Sequence, residues 1–175
     1  MKNPEHITLY DLEDSDSAGL PEVARKLRDA LGGFATGVTI VTSLAPGGHW
    51  AGLTVNSFSS LSLDPPLILW CLTLESGLVD SFKPGEKFNL NILGKDQEEL
   101  ALKFARPSQD RFEDVAAHPD REGVPLLENC SGILNCVVEK TYPGGDHIII
   151  VAKVVRYRET DKPPLLFHKG RFKTF

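Results

Sequence analysis

Two β-rich runs near the C-terminus, Ile133 to Tyr142 and His147 to Tyr157, are separated only by Pro143-Gly-Gly-Asp146, and this pairing constrains the fold more than any other stretch. A four-residue connection of turn formers is too short for a helical crossover, so the runs must fold back as one long antiparallel hairpin. The same pattern recurs upstream. Val38 to Thr42 and Trp50 to Val55 flank a Pro-Gly-Gly turn within Ser43 to His49, which predicts a second hairpin. Leu67 to Leu72 is almost continuously apolar, as a short buried strand would be, and Lys87 to Leu93 alternates like a half-buried one. Leu165 to Phe167 and Arg171 to Phe175 flank His168-Lys-Gly170 as a last small β unit.

Helical spacing is confined to three places. After Leu20-Pro21, residues Val23, Ala24, Leu27, Ala30 and Leu31 share one face, with Gly32-Gly33 as the stop. A short helix is expected over Leu78 to Phe82. Another is expected over Gln97 to Phe104, with Leu100, Ala101 and Phe104 turned inward, and Arg106 to Glu122 reads as irregular. Strands in antiparallel succession with few helices between them predict a mainly β fold, a barrel with peripheral helices, and not a βαβ layered one. At 175 residues the chain is expected to form one domain over residues 21–175. Residues 1–20, with five acidic residues against one lysine, are expected to be an N-terminal arm.

The net charge of -5 argues against a nucleic-acid or anionic-membrane partner. No apolar run approaches the roughly 20 residues of a membrane span, and Met1 to His6 lacks a signal-peptide core, so a cytoplasmic location is expected. Three cysteines without CxxC spacing predict free, mostly buried thiols. The five histidines are scattered and predict no metal site. The signatures of Rossmann dinucleotide binding, P-loop hydrolysis, zinc proteolysis and α/β-hydrolase chemistry are absent.

What remains is a set of polar segments. Thr54 to Leu67 places four serines, a threonine and an asparagine between two strand-like runs and closes on Asp64-Pro-Pro66. It is either a plain loop or a cradle of hydroxyls and backbone donors for a flat ligand carrying a phosphate. Asn89 and Asn91 lie two apart on an apolar strand, so both point to one face and need partners, from a structural network or from a ligand. Thr36-Gly37 is a turn or a contact for a polar chain. Arg106, Asp110 and Arg111 form a solvated loop or a phosphate site. His147 follows Gly144-Gly-Asp146, where a tight turn can present it, or it simply begins a strand.

Taken in order, these segments resemble the flavin reductase-like family with the FMN-binding split β-barrel. The matching stretches are Leu31 to Thr42, Gly52 to Leu67, Phe88 to Leu93, Phe104-Ala-Arg106, Asp110-Arg-Phe112, Gly145-Asp-His147 and Pro164-Leu-Leu166. The resemblance implies an antiparallel Greek-key split β-barrel that is homodimeric, with FMN or FAD in a groove at the barrel edge. It implies flavin contacts from Thr36, Gly37, Thr54, Val55, Asn56, Ser57, Ser59, Ser60, Asn91, Phe104 and Arg106, and a nicotinamide contact from His147. The implied chemistry is hydride transfer from NADH or NADPH to the flavin, which depends on ring alignment more than on a strong acid or base. Reduced flavin would pass to a separate monooxygenase. Two other readings stay open: a flavin-binding storage or electron-transfer protein that oxidises no nicotinamide, and a structural β-barrel module.

Overall fold

The computed structural model describes residues 20–108 and 110–174, so the reading of an acidic arm falls on residues that lie outside those described. The described chain is mainly β with two helices, in the order α1 (Leu20–Leu31), β1 (Thr36–Gly37), β2 (Thr39–Leu44), β3 (Trp50–Val55), β4 (Ser59–Leu63), β5 (Pro66–Thr73), β6 (Lys87–Ile92), α2 (Glu98–Ala105), β7 (Ala117–Pro119), β8 (Pro125–Leu127), β9 (Gly132–Gly144), β10 (His147–Glu159), β11 (Leu166–His168) and β12 (Arg171–Lys173). A 3-10 turn over Val79–Phe82 stands where a short helix is expected from the spacing. No helix among the described residues is long and apolar enough to cross a membrane.

Seven strands form one antiparallel sheet in the order β3-β2-β6-β9-β10-β5-β4. Both expected hairpins are present: β2 pairs with β3 from Thr39↔Val55 to Leu44↔Trp50, and β9 pairs with β10 over almost their full lengths. The sheet must curl. Its outermost strands, β3 and β4, are joined by Asn56 to Phe58 alone, and the step from Val55 to Ser59 reaches roughly 14 Å when fully extended. Six interstrand gaps in a flat sheet would hold those strands about 29 Å apart.

The curl divides the apolar residues into two cores. Val41, Trp70, Leu72, Phe82, Phe88, Leu90 and Ile150 fill the concave side, where Trp70, Phe82 and Phe88 meet edge to face at 4.8 to 5.9 Å. On the convex side of β2, β6 and β9, Ile40 and Ile133 pack with Ala101 and Phe104 of α2, Leu127 of β8 and Leu165. Ala101 and Phe104 are buried as their spacing predicts. Among the described residues the outer face of β5 and β10 carries no such cover: Leu67, Leu69, Cys71, Ile149 and Val151 are half-buried and belong to neither core. The apolar stripe of α1 is also bare, with Leu27 41% and Leu31 66% exposed.

The stretch from Thr54 to Leu67 is not the continuous loop that one reading of its composition allows. Thr54 and Val55 finish β3, and Ser59–Leu63 forms an edge strand paired with β5. Hydroxyl-rich sequence is tolerated in a strand here because β4 has a partner on one side only and a solvent-exposed edge on the other.

Candidate functional site

At the end of the sheet where β3 hands over to β4, the chain forms a groove of about 520 Å³, inside the usual range for a small-molecule site. Thr36 and Asn56, 20 positions apart in sequence, meet there. Its walls come from the C-terminal turn of α1 and from the β11-β12 hairpin, including Phe34, Phe167, Arg28 and Lys169. Three local features create it. Gly32 ends α1 and accepts the Lys169 N–H at 2.9 Å, which ties the hairpin to the helix. Residues Thr36 and Gly37 pair with Phe167 and Leu166 as a short ladder. Phe34, 79% exposed, stands at the rim with no aromatic partner among the described residues.

The Thr36 hydroxyl is the most informative atom of the groove. It is buried and has no hydrogen-bond partner among the described residues, whereas a buried hydroxyl is normally satisfied because leaving it bare costs about 1–3 kcal/mol. An unpaired hydroxyl in a groove wall fits a ligand with polar edges. Gly37 beside it leaves open space where a side chain would begin. Asn56 is exposed and can offer both a donor and an acceptor.

The remaining residues expected at a flavin site divide sharply. Ser57 is committed to the fold: its hydroxyl donates to Cys71 O at 3.2 Å and accepts from Cys71 N at 3.0 Å, replacing the missing strand partner beyond the end of β4. The Thr54 hydroxyl donates to Ala101 O at 2.6 Å and pins α2 to β3. Val55 packs on the concave core and accepts the Thr39 hydroxyl at its carbonyl. These residues position Asn56; their side chains do not reach into the groove. Ser59 and Ser60 are exposed on β4 and are not among the groove's lining residues.

Asn91, Phe104 and Arg106 are not brought to the groove at all. Asn91 is fully buried: its amide donates to Ile40 O at 3.0 Å and to the Thr42 hydroxyl at 3.1 Å, and its carbonyl accepts Leu127 N at 3.1 Å. Asn89 likewise donates to Asp120, Val124 O and Pro125 O. Of the two readings of the asparagine pair, the structural network holds, and it clips β8 and the loop before it onto β2 and β6. Phe104 is 1% exposed and meets the Phe112 ring at 5.0 Å inside the convex core. Because Thr54 meets Ala101 while Gly52 meets Phe104, α2 runs antiparallel to β3. Arg106 therefore lies at the Gly52 end, four residues or about 13 Å of strand from Asn56. There Arg111 donates to Arg106 O and Gly52 O.

His147 opens β10, pairing with Thr73 of β5 and Gly144 of β9. Its Nδ1 lies 2.7 Å from Asp146 Oδ1. The hydrogen bond to His147 and its charge hold the Asp146 carboxyl below the usual carboxylate range, and the arrangement leaves Nε2 turned away from the acid. Ser57 sits opposite Cys71, and His147 opposite Thr73 two residues on. Strand spacing then puts Ser57 and His147 roughly 12 Å apart, at the same end of the sheet. Of the three thiols expected to be free and mostly buried, all are free, Cys130 and Cys136 are buried and Cys71 is half-buried; burial pushes Cys130 and Cys136 up to about 12. No group of His, Cys, Asp or Glu able to hold a metal occurs among the described residues.

Phe34, Phe167, Arg28 and Lys169 escape a reading by spacing because their elements meet only in the folded chain. The one local signal was Lys169-Gly170, a two-residue turn between short strands.

Comparison with known proteins gives a consistent picture. Residues 31–175 match the model of the family described as flavin reductase like domain. An FMN reductase (NADH) of Agrobacterium fabrum is 40% identical over 154 residues, covering 88% of this chain and 87% of its own. The reductase component of a flavin-dependent trigonelline monooxygenase of Acinetobacter baylyi is 36% identical over 86% of this chain. The chain spans about half of that relative, 48%, and the same share of a Rhizobium meliloti relative that is 38% identical. Among solved structures, the Streptomyces globisporus NADH:FAD oxidoreductase, in complex with NAD and FAD fragments, superposes with a TM-score of 0.85 at 33% identity, covering 97% of both chains.

Proposed function

We propose that this chain, which belongs to the flavin reductase like domain family, is an NAD(P)H-dependent flavin reductase that binds FMN or FAD in the groove at Thr36 and Asn56. The observation that carries the reading is the buried Thr36 hydroxyl, without a partner among the described residues, in the wall of a groove that also presents Leu31, Phe34, Phe167 and the polar Asn56. A flavin supplies a ring that accepts hydride from a reduced nicotinamide and delivers it onward. The chain's own residues bind and orient. Thr36 and Asn56 meet polar edges, Gly37 allows close approach, and Phe34 and Phe167 shield the site from water. His147, with Asp146 fixing its ring, stands ready to meet the nicotinamide and hold it in register. Alignment of two rings is the main requirement of such a reaction, which agrees with a groove that has no acid-base triad.

The uncovered face of β5 and β10 and the bare stripe of α1 support a homodimer. A second copy would cover Leu67, Leu69, Ile149 and Val151, completing a split-barrel dimer with each groove near the interface. Relatives that are reductase components of monooxygenases support a separate oxygenase as the acceptor of reduced flavin.

Thr36→Val tests the reading. It removes a buried, unsatisfied hydroxyl without changing shape, so the apo-protein should melt no lower than the parent. Flavin affinity, measured by fluorescence quenching, should fall about tenfold. Unchanged flavin affinity would overturn the assignment of the groove. His147→Ala should raise the KM for NADH while leaving flavin binding intact; unchanged NADH oxidation would remove His147 from the mechanism.

A further inference from the structure

The hydroxyl-rich strand carries no cation, and Arg106 lies away from the groove, so the reading above leaves the phosphate of a bound nucleotide without a counter-charge. Two basic side chains from two different elements that line the same groove fill that gap. Arg28 comes from the last turn of α1 and Lys169 from the tip of the β11-β12 hairpin. On α1, Arg25 is paired with Asp29 at 3.3 Å and Lys26 with Glu22 at 3.1 Å. The Arg28 guanidinium and the Lys169 ammonium have no hydrogen bond or ion pair among the described residues. Asp29 also lines the groove, but its carboxylate is taken by Arg25.

Lys169 also occupies a position that lysine does not favour. His168 pairs with Arg171, and the two residues between them have φ of 47° at Lys169 and 74° at Gly170. That is the two-residue hairpin turn with both centres left-handed, for which Asn-Gly is the preferred pair. A side chain kept in a disfavoured backbone conformation points to a use for it. The bond from Lys169 N to Gly32 O holds the turn against the end of α1, bringing the two cations to one groove.

We infer that Arg28 and Lys169 form the phosphate clamp of this groove, reading the phosphate groups of a nucleotide as a fork from one wall and a point charge from the other. The inference rests on the groove being a nucleotide site, and it places the charge recognition of a net acidic protein in one spot. The phosphate can belong to the flavin or to the nicotinamide dinucleotide.

The experiment uses the full chain and its Lys169→Asn and Arg28→Gln variants, titrated with FMN, FAD and riboflavin, with NADH kinetics alongside. Asparagine suits the turn, so Lys169→Asn should melt at or above the parent temperature, and weaker binding could not be ascribed to misfolding. If the clamp reads the flavin, both variants raise the Kd of FMN and FAD about tenfold or more and leave riboflavin unchanged. If it reads the hydride donor, flavin affinities hold and the KM for NADH rises by a similar factor at constant kcat. A change below twofold for all ligands, or equal weakening of riboflavin, overturns the clamp. A parent protein that binds no flavin and oxidises no NADH overturns the nucleotide reading itself.

Discussion

Replacing Asn91 by alanine should unfold this protein more easily without weakening the flavin binding proposed for the groove. The side chain is fully buried and makes three hydrogen bonds, to Ile40 O, to the Thr42 hydroxyl and from Leu127 N. At about 1 kcal/mol net for each, the loss is about 3 kcal/mol, and the Leu127 N–H is left buried and unpaired. For a chain of 175 residues, each kcal/mol moves the melting temperature by about 2–4 °C, so a fall of about 6–12 °C is expected by circular dichroism. Flavin titrated well below the lowered midpoint should bind within twofold of the parent. Asn91→Asp adds a sign. Its oxygen would face Ile40 O, and burial would raise the carboxyl's pKa in the folded state above its unfolded value. The ionisation part of the penalty should therefore be absent below the unfolded pKa and grow as pH rises from about 4 towards the folded value, by up to about 1.4 kcal/mol per unit, on top of the pH-independent loss of one of the two amide donor bonds. A melting temperature within 2 °C of the parent for Asn91→Ala, combined with a tenfold loss of flavin affinity, would refute the structural assignment of this residue.

Other consequences can be checked separately. A methyl group at Gly52 would lie 2.8 Å from Phe104 Cε1 and 3.2 Å from Val41 O, so Gly52→Ala should cost about 1–3 kcal/mol by overpacking. Adding Phe104→Leu should recover part of that loss in a double-mutant cycle; strict additivity would show that the contact is not the cause. Ser57→Ala leaves both Cys71 backbone groups without their hydroxyl partner and should destabilise by about 1–2 kcal/mol, read as a lower urea midpoint. Cys130 and Cys136, pushed up to about 12 by burial, carry on the order of a thousandth of their thiols as thiolate at pH 9. In native protein Cys130 and Cys136 should therefore stay unlabelled and react only on unfolding, as mass spectrometry of alkylated peptides can establish.

Much of the fold was legible because it rests on local chemistry. Pro46-Gly-Gly48 and Pro143-Gly-Gly145 set two hairpins, and both formed, since a short turn between β-branched runs leaves the chain little choice. The helical spacing of Ala101 and Phe104 correctly marked a buried face. The candidate site was legible in part: Thr36 and Asn56 do meet in one groove. Ser57, Thr54 and Asn91 have the residue types a polar ligand needs, and the same donors and acceptors serve equally well to tie strands together. Composition cannot distinguish these uses, because an amide or hydroxyl offers the same bonds to backbone as to ligand.

The sequence by itself determined the antiparallel β character, the position of the hairpins, the buried thiols and the family. Tertiary structure decided which polar residues are spent on the fold and which stay open. Thr36 is left unpaired, Asn91 is consumed, Arg106 is carried away on the antiparallel course of α2, and Arg28 and Lys169 are brought together from opposite ends of the chain. The physical reason is that hydrogen-bond satisfaction and charge proximity depend on distances between elements far apart in sequence, and those distances exist only once the sheet has curled and the hairpin has docked against the helix end.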